Sequence, residues 1–170
     1  MKYIIVLSLV VFISCKQRPP HRIETDSLGN EKVVVIKKGD SFHGKVIKIS
    51  DGDTFRVLFE QTSIRIRMNS IDCPEKKQDF YQVAKDALAS LIFNREVRIT
   101  VSGYDRYGRV LGDVFINDLN INLAMVEGGF AWHYKKYSSS QLFADAENRA
   151  KMAHRGLWSM SNPIAPWDFR

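Results

Sequence analysis

Ile64-Arg65-Ile66-Arg67-Met68 alternates apolar and basic residues, the two-residue period of a strand with one buried face. Two strand-like runs precede it, Phe42 to Ile49 and Thr54 to Phe59, joined through Asp51-Gly52, a hairpin turn signal. Residues 78–94 then change period. Val83, Ala84, Ala87, Leu88, Leu91 and Ile92 recur at three and four, which predicts a helix with one apolar face. Val97 to Val101 and Val110 to Phe115 return to strand, with Gly103 and Gly108 between them. Asn120 opens a short helix over Ile121 to Val126, stopped by Gly128-Gly129. Ser138 and Gln141 predict a capping box for a last helix reaching about His154. Five short strands with a helix between the third and fourth predict an α+β chain, mainly β at its core. The expected fold is a five-stranded OB-fold barrel, the small closed oligonucleotide-binding type, with about three helices.

The first fourteen residues stand apart from this pattern. Lys2 precedes an apolar run from Tyr3 to Ile13, broken only by Ser8. The run is too short for a spanning helix, which needs about 20 residues, and it suits the core of a secretory signal. Phe12-Ile13-Ser14-Cys15 resembles the lipobox of bacterial lipoproteins, with Phe12 where Leu is usual. That resemblance implies a signal peptide over 1–14, a lipid on Cys15, export, and anchorage to the membrane of a bacterial cell envelope. A plain cleaved signal or a buried apolar strand are the alternatives. Residues 15–31 read as a flexible tether, polar and proline-bearing from Lys16 to Pro20, with too little apolar surface to offset ordering. Val33 to Ile36 reads as an edge strand. The folded domain is expected over 32–160, and a loose or trailing tail over 161–170.

Only two cysteines, Cys15 and Cys73, occur in 170 residues, which argues against a disulfide-rich scaffold. With Cys15 lipidated, Cys73 has no partner, and stability rests on the core. Lys and Arg number 25 against 19 Asp and Glu, formally +6. A basic surplus is compatible with a polyanionic partner, although many soluble proteins are mildly basic. His21, His43, His133 and His154 are scattered without metal-ligand spacing and read as structural or surface residues.

Four local features could carry chemistry, and each has a bland reading. Asp51-Gly52-Asp53-Thr54 is a hairpin turn or a carboxylate pair. Ile71-Asp72-Cys73-Pro74-Glu75 is a strand exit barred by Pro74, or two more carboxylates beside Arg67. Tyr104-Asp105-Arg106-Tyr107-Gly108-Arg109 is a solvated turn or a phosphate grip. Ala131 to Tyr137 interleaves aromatic and basic residues, as core packing (the reading favoured for Trp132) or as a base-stacking surface. Together they suggest phosphodiester chemistry. Carboxylates suit a hard cation, guanidiniums grip phosphate oxygens, and a further carboxylate can activate water.

Ile49-Ser50-Asp51-Gly52-Asp53-Thr54, Arg67 through Glu75, and Asp105-Arg106-Tyr107-Gly108-Arg109 together resemble the three signature blocks of the staphylococcal (thermo)nuclease family, in the family's order. Arg155-Gly156-Leu157-Trp158-Ser159 matches its end. The resemblance spans residues 42–160. It implies that Asp53 and Asp72 bind Ca²⁺ through their carboxylates and Cys73, where threonine is usual, through its backbone carbonyl. Asp51 would stand behind these ligands. Glu75 would be the general base, or the group orienting the attacking water. Arg67 and Arg109 would bind the scissile phosphate. Arg106 and Tyr107 would lie near the nucleotide's terminal phosphate, and Tyr137 and Tyr134 would line a base pocket.

The implied protein is a Ca²⁺-dependent nuclease, expected as a monomer, that leaves 3′-phosphorylated fragments of DNA or RNA. Two rival readings stay open on the sequence. One is a non-catalytic OB-fold lipoprotein that only binds nucleic acid. The other is an envelope lipoprotein with a vestigial site. Glu75, Arg67 and Arg109 are expected at the surface, so that replacing them leaves folding largely intact.

Overall fold

The computed structural model describes the backbone of residues 21–25 and 31–35 and the whole of residues 36–170. The expected signal over 1–14 and Cys15 lie outside the described residues. Strands β1 (His21–Thr25) and β2 (Glu31–Val35) pair antiparallel as a separate ribbon. The ribbon begins within the stretch read as tether, where the mixture of His21, Arg22 and Glu24 around Ile23 gives no usable apolar period.

The chain then runs through β3 (Ser41–Ile49), β4 (Thr54–Phe59), β5 (Thr62–Met68), β6 (Ile71–Asp72), α1 (Tyr81–Ile92), β7 (Glu96–Tyr104) and β8 (Val110–Ile116). After these come β9 (Leu119–Asn120), α2 (Ile121–Glu127), β10 (Trp132–His133), α3 (Gln141–Met152), a 3-10 turn at Gly156–Ser159, and α4 (Pro166–Phe169). The sheet order is β5-β4-β3-β7-β8-β9, with antiparallel neighbours. A parallel pairing of β5 with β8 closes it, placing Ile66 opposite Val110 and Arg67 opposite Leu111. The five long strands thus form the closed OB-type barrel that the order of elements predicts.

Alternate strand positions fill the barrel. Val46, Phe55, Val57, Ile64, Ile66, Ile99, Val110 and Val114 are buried, and burying a side chain such as Phe55 or Ile66 contributes about 1.5–3 kcal/mol. Helix α1 adds Ala84, Leu88 and Ile92 to the same core, while Val83 points to solvent. Asn120 caps α2 by accepting a hydrogen bond from the Leu123 amide at 3.0 Å.

Three expectations are corrected. Helix α1 starts at Tyr81 because Phe80, at φ 68°, is left-handed and cannot continue a helix from Gln78. Ser140, not Ser138, is the N-cap of α3, and its side chain makes no capping bond. Ser138 Oγ lies 3.1 Å from His133 Nε2 instead. The segment 161–170 is not a loose tail. Ala165 and Pro166 are buried, and Gln78 Nε2 donates to the Ile164 carbonyl at 2.6 Å. No described helix is long and apolar enough to cross a membrane.

Candidate active site

Thr54 pairs with Arg67 and Ile66 with Val110, so the β3–β4 turn, the exit of β5 and the entry of β8 share one end of the barrel. The turn is tight: Ser50 and Asp51 both donate their amides to the Thr54 carbonyl, at 2.9 and 3.2 Å. Gly52 lies against the Cys73 segment and α1. A Cβ there would meet Cys73 Sγ at 2.9 Å and Ala84 Cβ at 3.0 Å, so any side chain would push the turn off its support. Asp53 faces inward, 6% exposed. Its Oδ2 accepts from the Cys73 amide at 2.8 Å and its Oδ1 from Thr54 Oγ1 at 3.1 Å.

Arg67 leaves β5 into a ring of acceptors. Nη1 donates to the carbonyls of Met68 (2.9 Å) and Ile71 (3.0 Å) and lies 3.1 Å from Asp53 Oδ2, while Nη2 meets Asp72 Oδ1 at 2.8 Å. Its side chain is only 11% exposed, contrary to the expectation of a surface arginine. The reason is local: Asn69 and Ser70 turn the chain so that β6 folds back over the guanidinium. Asp72 is 1% exposed, and Cys73 is buried with its thiol pushed well up, first by burial and then by Asp53. Glu75 is 40% exposed at the rim.

From β7–β8 comes the second arginine. Asp105 Oδ1 accepts from the amides of Tyr107 and Arg109, both at 2.9 Å, and its Oδ2 takes Arg109 Nε at 2.6 Å. Arg109 Nη1 reaches Thr54 Oγ1 at 3.2 Å, next to Asp53. Arg106 and Arg109 both flank the Tyr107 ring, at 4.8 and 5.7 Å from its centroid. Tyr134 donates its amide to the Ser70 carbonyl at 2.8 Å, which hangs the Tyr134–Tyr137 pair, 4.8 Å apart, beside β6.

These groups line one cleft of about 850 Å³. Asp51, Asp53, Arg67, Asp72, Cys73, Glu75, Arg106, Tyr107, Arg109, Tyr134 and Tyr137 all contribute to its walls. Every candidate site residue within the described part of the chain is therefore in one place. One residue was missed: Arg170. Its Nη2 donates to both oxygens of Asp72, at 2.7 and 2.8 Å, and its Nε to Glu75 Oε1 at 2.6 Å. Trp167 lies face to face with Tyr134, centroids 5.3 Å apart. Nothing local in Asp168-Phe169-Arg170 signals a site residue.

The cleft crowds carboxylates and guanidiniums together. Burial, and then the charge of Asp53, raise the Asp51 carboxyl to about 7 and that of Asp72 to about 6. Arg67 and Arg170 only partly oppose this at Asp72. Among the described residues, no three His, Cys, Asp or Glu side chains form a ready cage for a metal. Two carboxylates and a backbone carbonyl nonetheless fit a hard cation that completes its shell with water and phosphate oxygens. The all-oxygen donor set suits Ca²⁺ or Mg²⁺.

Residues 65–160 match the family described as staphylococcal nuclease homologue. The chain is 41% identical over 129 residues to an uncharacterized endonuclease of Escherichia coli, covering 75% of this chain and 84% of that protein. It is 43% identical over 127 residues to an uncharacterized endonuclease of Haemophilus influenzae, covering 74% and 71%. It is 38% identical over 150 residues to a micrococcal nuclease of Shigella flexneri, covering 81% and 86%.

Proposed function

Because the chain belongs to the staphylococcal nuclease family and is a nuclease, we propose that it hydrolyses DNA or RNA with Ca²⁺ and leaves 3′-phosphorylated products. The observation that carries this reading is the convergence of Asp53, Asp72, Glu75, Arg67 and Arg109 on one cleft. A barrel that only bound nucleic acid would need no such pairing of carboxylates with guanidiniums.

Asp53 and Asp72, with the Cys73 carbonyl, would hold Ca²⁺, which would supply positive charge to the phosphate and to the attacking water. Glu75, at the exposed rim, orients that water and accepts its proton. Arg109 reaches the phosphate from the β8 side and neutralises charge developing on its oxygens. Arg67 holds Asp53 and Asp72 in place while its charge faces the same phosphate. The bond to the 5′ oxygen breaks as the new P–O bond forms. Arg106 and Tyr107 stand at the terminal phosphate, and Tyr134 and Tyr137 stack on bases without reading sequence. We further read the chain as a monomer, exported and anchored through a lipid on Cys15. An unmodified Cys15 by mass spectrometry, in a soluble fraction, overturns the anchor.

The decisive assay incubates purified protein with single- and double-stranded DNA and RNA, with Ca²⁺ or chelator, and analyses product ends. Cleavage that needs Ca²⁺ and yields 3′-phosphates is expected. Glu75→Gln and Arg109→Ala should each reduce the rate about 10²–10³-fold with unchanged circular dichroism. Full activity in both variants overturns the mechanism.

A further inference from the structure

Arg170 stands 95 positions from Glu75 and 98 from Asp72, yet makes three short contacts with them. It is not a stray side chain that happens to reach the cleft. Gln78 ties the segment down from both sides, accepting the Glu75 amide at 2.8 Å and donating to the Ile164 carbonyl at 2.6 Å. Trp167 lies on Tyr134 and edge-on to Trp132, 5.6 Å away. The segment therefore brings a flat ring to the proposed base-stacking tyrosine and a cation to the proposed metal-binding carboxylate.

Both Asp72 oxygens are in use. Oδ1 takes Arg67 and Arg170 together, and Oδ2 takes Arg170. A cation bound by the Asp72 carboxylate must then compete with the Arg170 guanidinium for the same lone pairs. Arg67 does not compete in the same way, because it approaches from the buried side through the carbonyls of Met68 and Ile71. Arg170 is 43% exposed and free to swing outward.

The geometry points to Arg170 as a positioning residue of the active site: it is the resident cation between Asp72 and Glu75, and it leaves Asp72 when Ca²⁺ binds there. This rests on the reading that Ca²⁺ binds at Asp53 and Asp72. With Arg170 in place, Glu75 Oε1 is also held by a salt bridge at 2.6 Å, and an attacking water gains that oxygen only once Arg170 moves. Metal loading and release of Glu75 thus become one event. Trp167 on Tyr134 adds a further lock, since a base that stacks on that face of Tyr134 displaces the ring.

The test is Ca²⁺ titration of the full chain by calorimetry, without nucleic acid, in the parent and in Arg170→Ala, Arg170→Lys and Trp167→Ala. Arg170→Ala should bind Ca²⁺ about three- to tenfold tighter, the worth of a charge-assisted pair with one half-exposed partner. Arg170→Lys should fall between parent and alanine, and Trp167→Ala should shift in the same direction by less. Thermal melts supply the second readout. Arg170→Ala should melt below the parent in chelator and level with it in excess Ca²⁺. Unchanged or weaker Ca²⁺ affinity in Arg170→Ala, or an equal loss of melting temperature with and without Ca²⁺, overturns the inference. If the parent cleaves nucleic acid with Ca²⁺ while the variant's affinity is unchanged, only the role of Arg170 fails. If the parent neither binds Ca²⁺ nor cleaves, the Ca²⁺ reading fails and this inference with it.

Discussion

Asp51 and Asp72 titrate in the folded protein at about 7 and about 6, above their ordinary value of 3.8, because burial and the neighbouring Asp53 disfavour their charge. The folded state therefore holds protons that the unfolded chain gives up. Their contribution to stability is complete below about pH 4 and is lost as pH rises through about 6 and about 7. Asp105 and Glu147 act oppositely: burial raises them, but hydrogen bonds, to Arg109 and to Lys151 first, hold them lower. Their contribution is present above the ordinary carboxylate range and is lost as pH falls through their lowered values. In chelator, melting temperature should accordingly fall between pH 5 and 8, and excess Ca²⁺ should flatten the fall; a metal-free melting temperature that rises over this range contradicts the assignment. Among the described residues Arg67 is the only guanidinium buried among these acids, so Arg67→Ala leaves Asp53 and Asp72 without their inner counter-ion. It should cost about 3 kcal/mol in denaturant unfolding. Arg109→Ala, at 21% exposure, should cost less than about 1 kcal/mol. The two arginines look alike in sequence, each within five residues of an aspartate. Only the fold-back of β6 separates a buried anchor from an accessible grip.

At the scale of elements, backbone meets backbone where α2 ends. Leu157 donates its amide to the Gly129 carbonyl at 2.8 Å, and Gly129 and Gly156 both have positive φ, 71° and 54°. A Cβ on Gly129 would run into the Arg155 carbonyl. Gly129→Ala should therefore destabilise by more than about 2 kcal/mol, measured by chemical denaturation, because the 3-10 turn can no longer close on α2. Strands and helices were largely legible in the sequence, since period and turn residues are local signals. Alternation along 64–68 and the three- and four-residue recurrence along 83–92 needed no tertiary information. The cleft was legible because its acids and arginines lie in short motifs at element ends. What lay beyond sequence reading depends on long-range contact. Asn122, fully buried, accepts from the Val114 amide and donates to the Asn69 carbonyl, pinning α2 to the exit of β5. Glu147, 1% exposed, takes Lys135, Lys151 and the His133 amide, holding the aromatic loop on α3. Each residue reads from sequence as ordinary helix surface.

Over the whole molecule, positive charge is not spread evenly. Lys48 pairs across strands with Arg56, and Arg56 with Arg65. Arg65 sits two residues from Arg67 on the same side of β5, so this row begins about 7 Å along the strand from the cleft. Among the described residues none of the three has a carboxylate at ion-pair distance, although like charges directly opposite one another are unfavourable. Changing all three to glutamine should lower the salt slope of single-strand binding by about 2, measured by anisotropy on a long oligonucleotide, while a dinucleotide is unaffected. An unchanged slope would mean that the row faces solvent only. The barrel's closure has a different consequence. Arg67 and Asp53 come from the β3–β5 meander, and Arg109 comes from the far side of the parallel β5–β8 seam. A chain still being synthesised holds the acids long before it holds the second arginine in register. The cleft is therefore assembled only where β8 seats against β5, and a barrel opened along that seam keeps its acids but loses its second arginine.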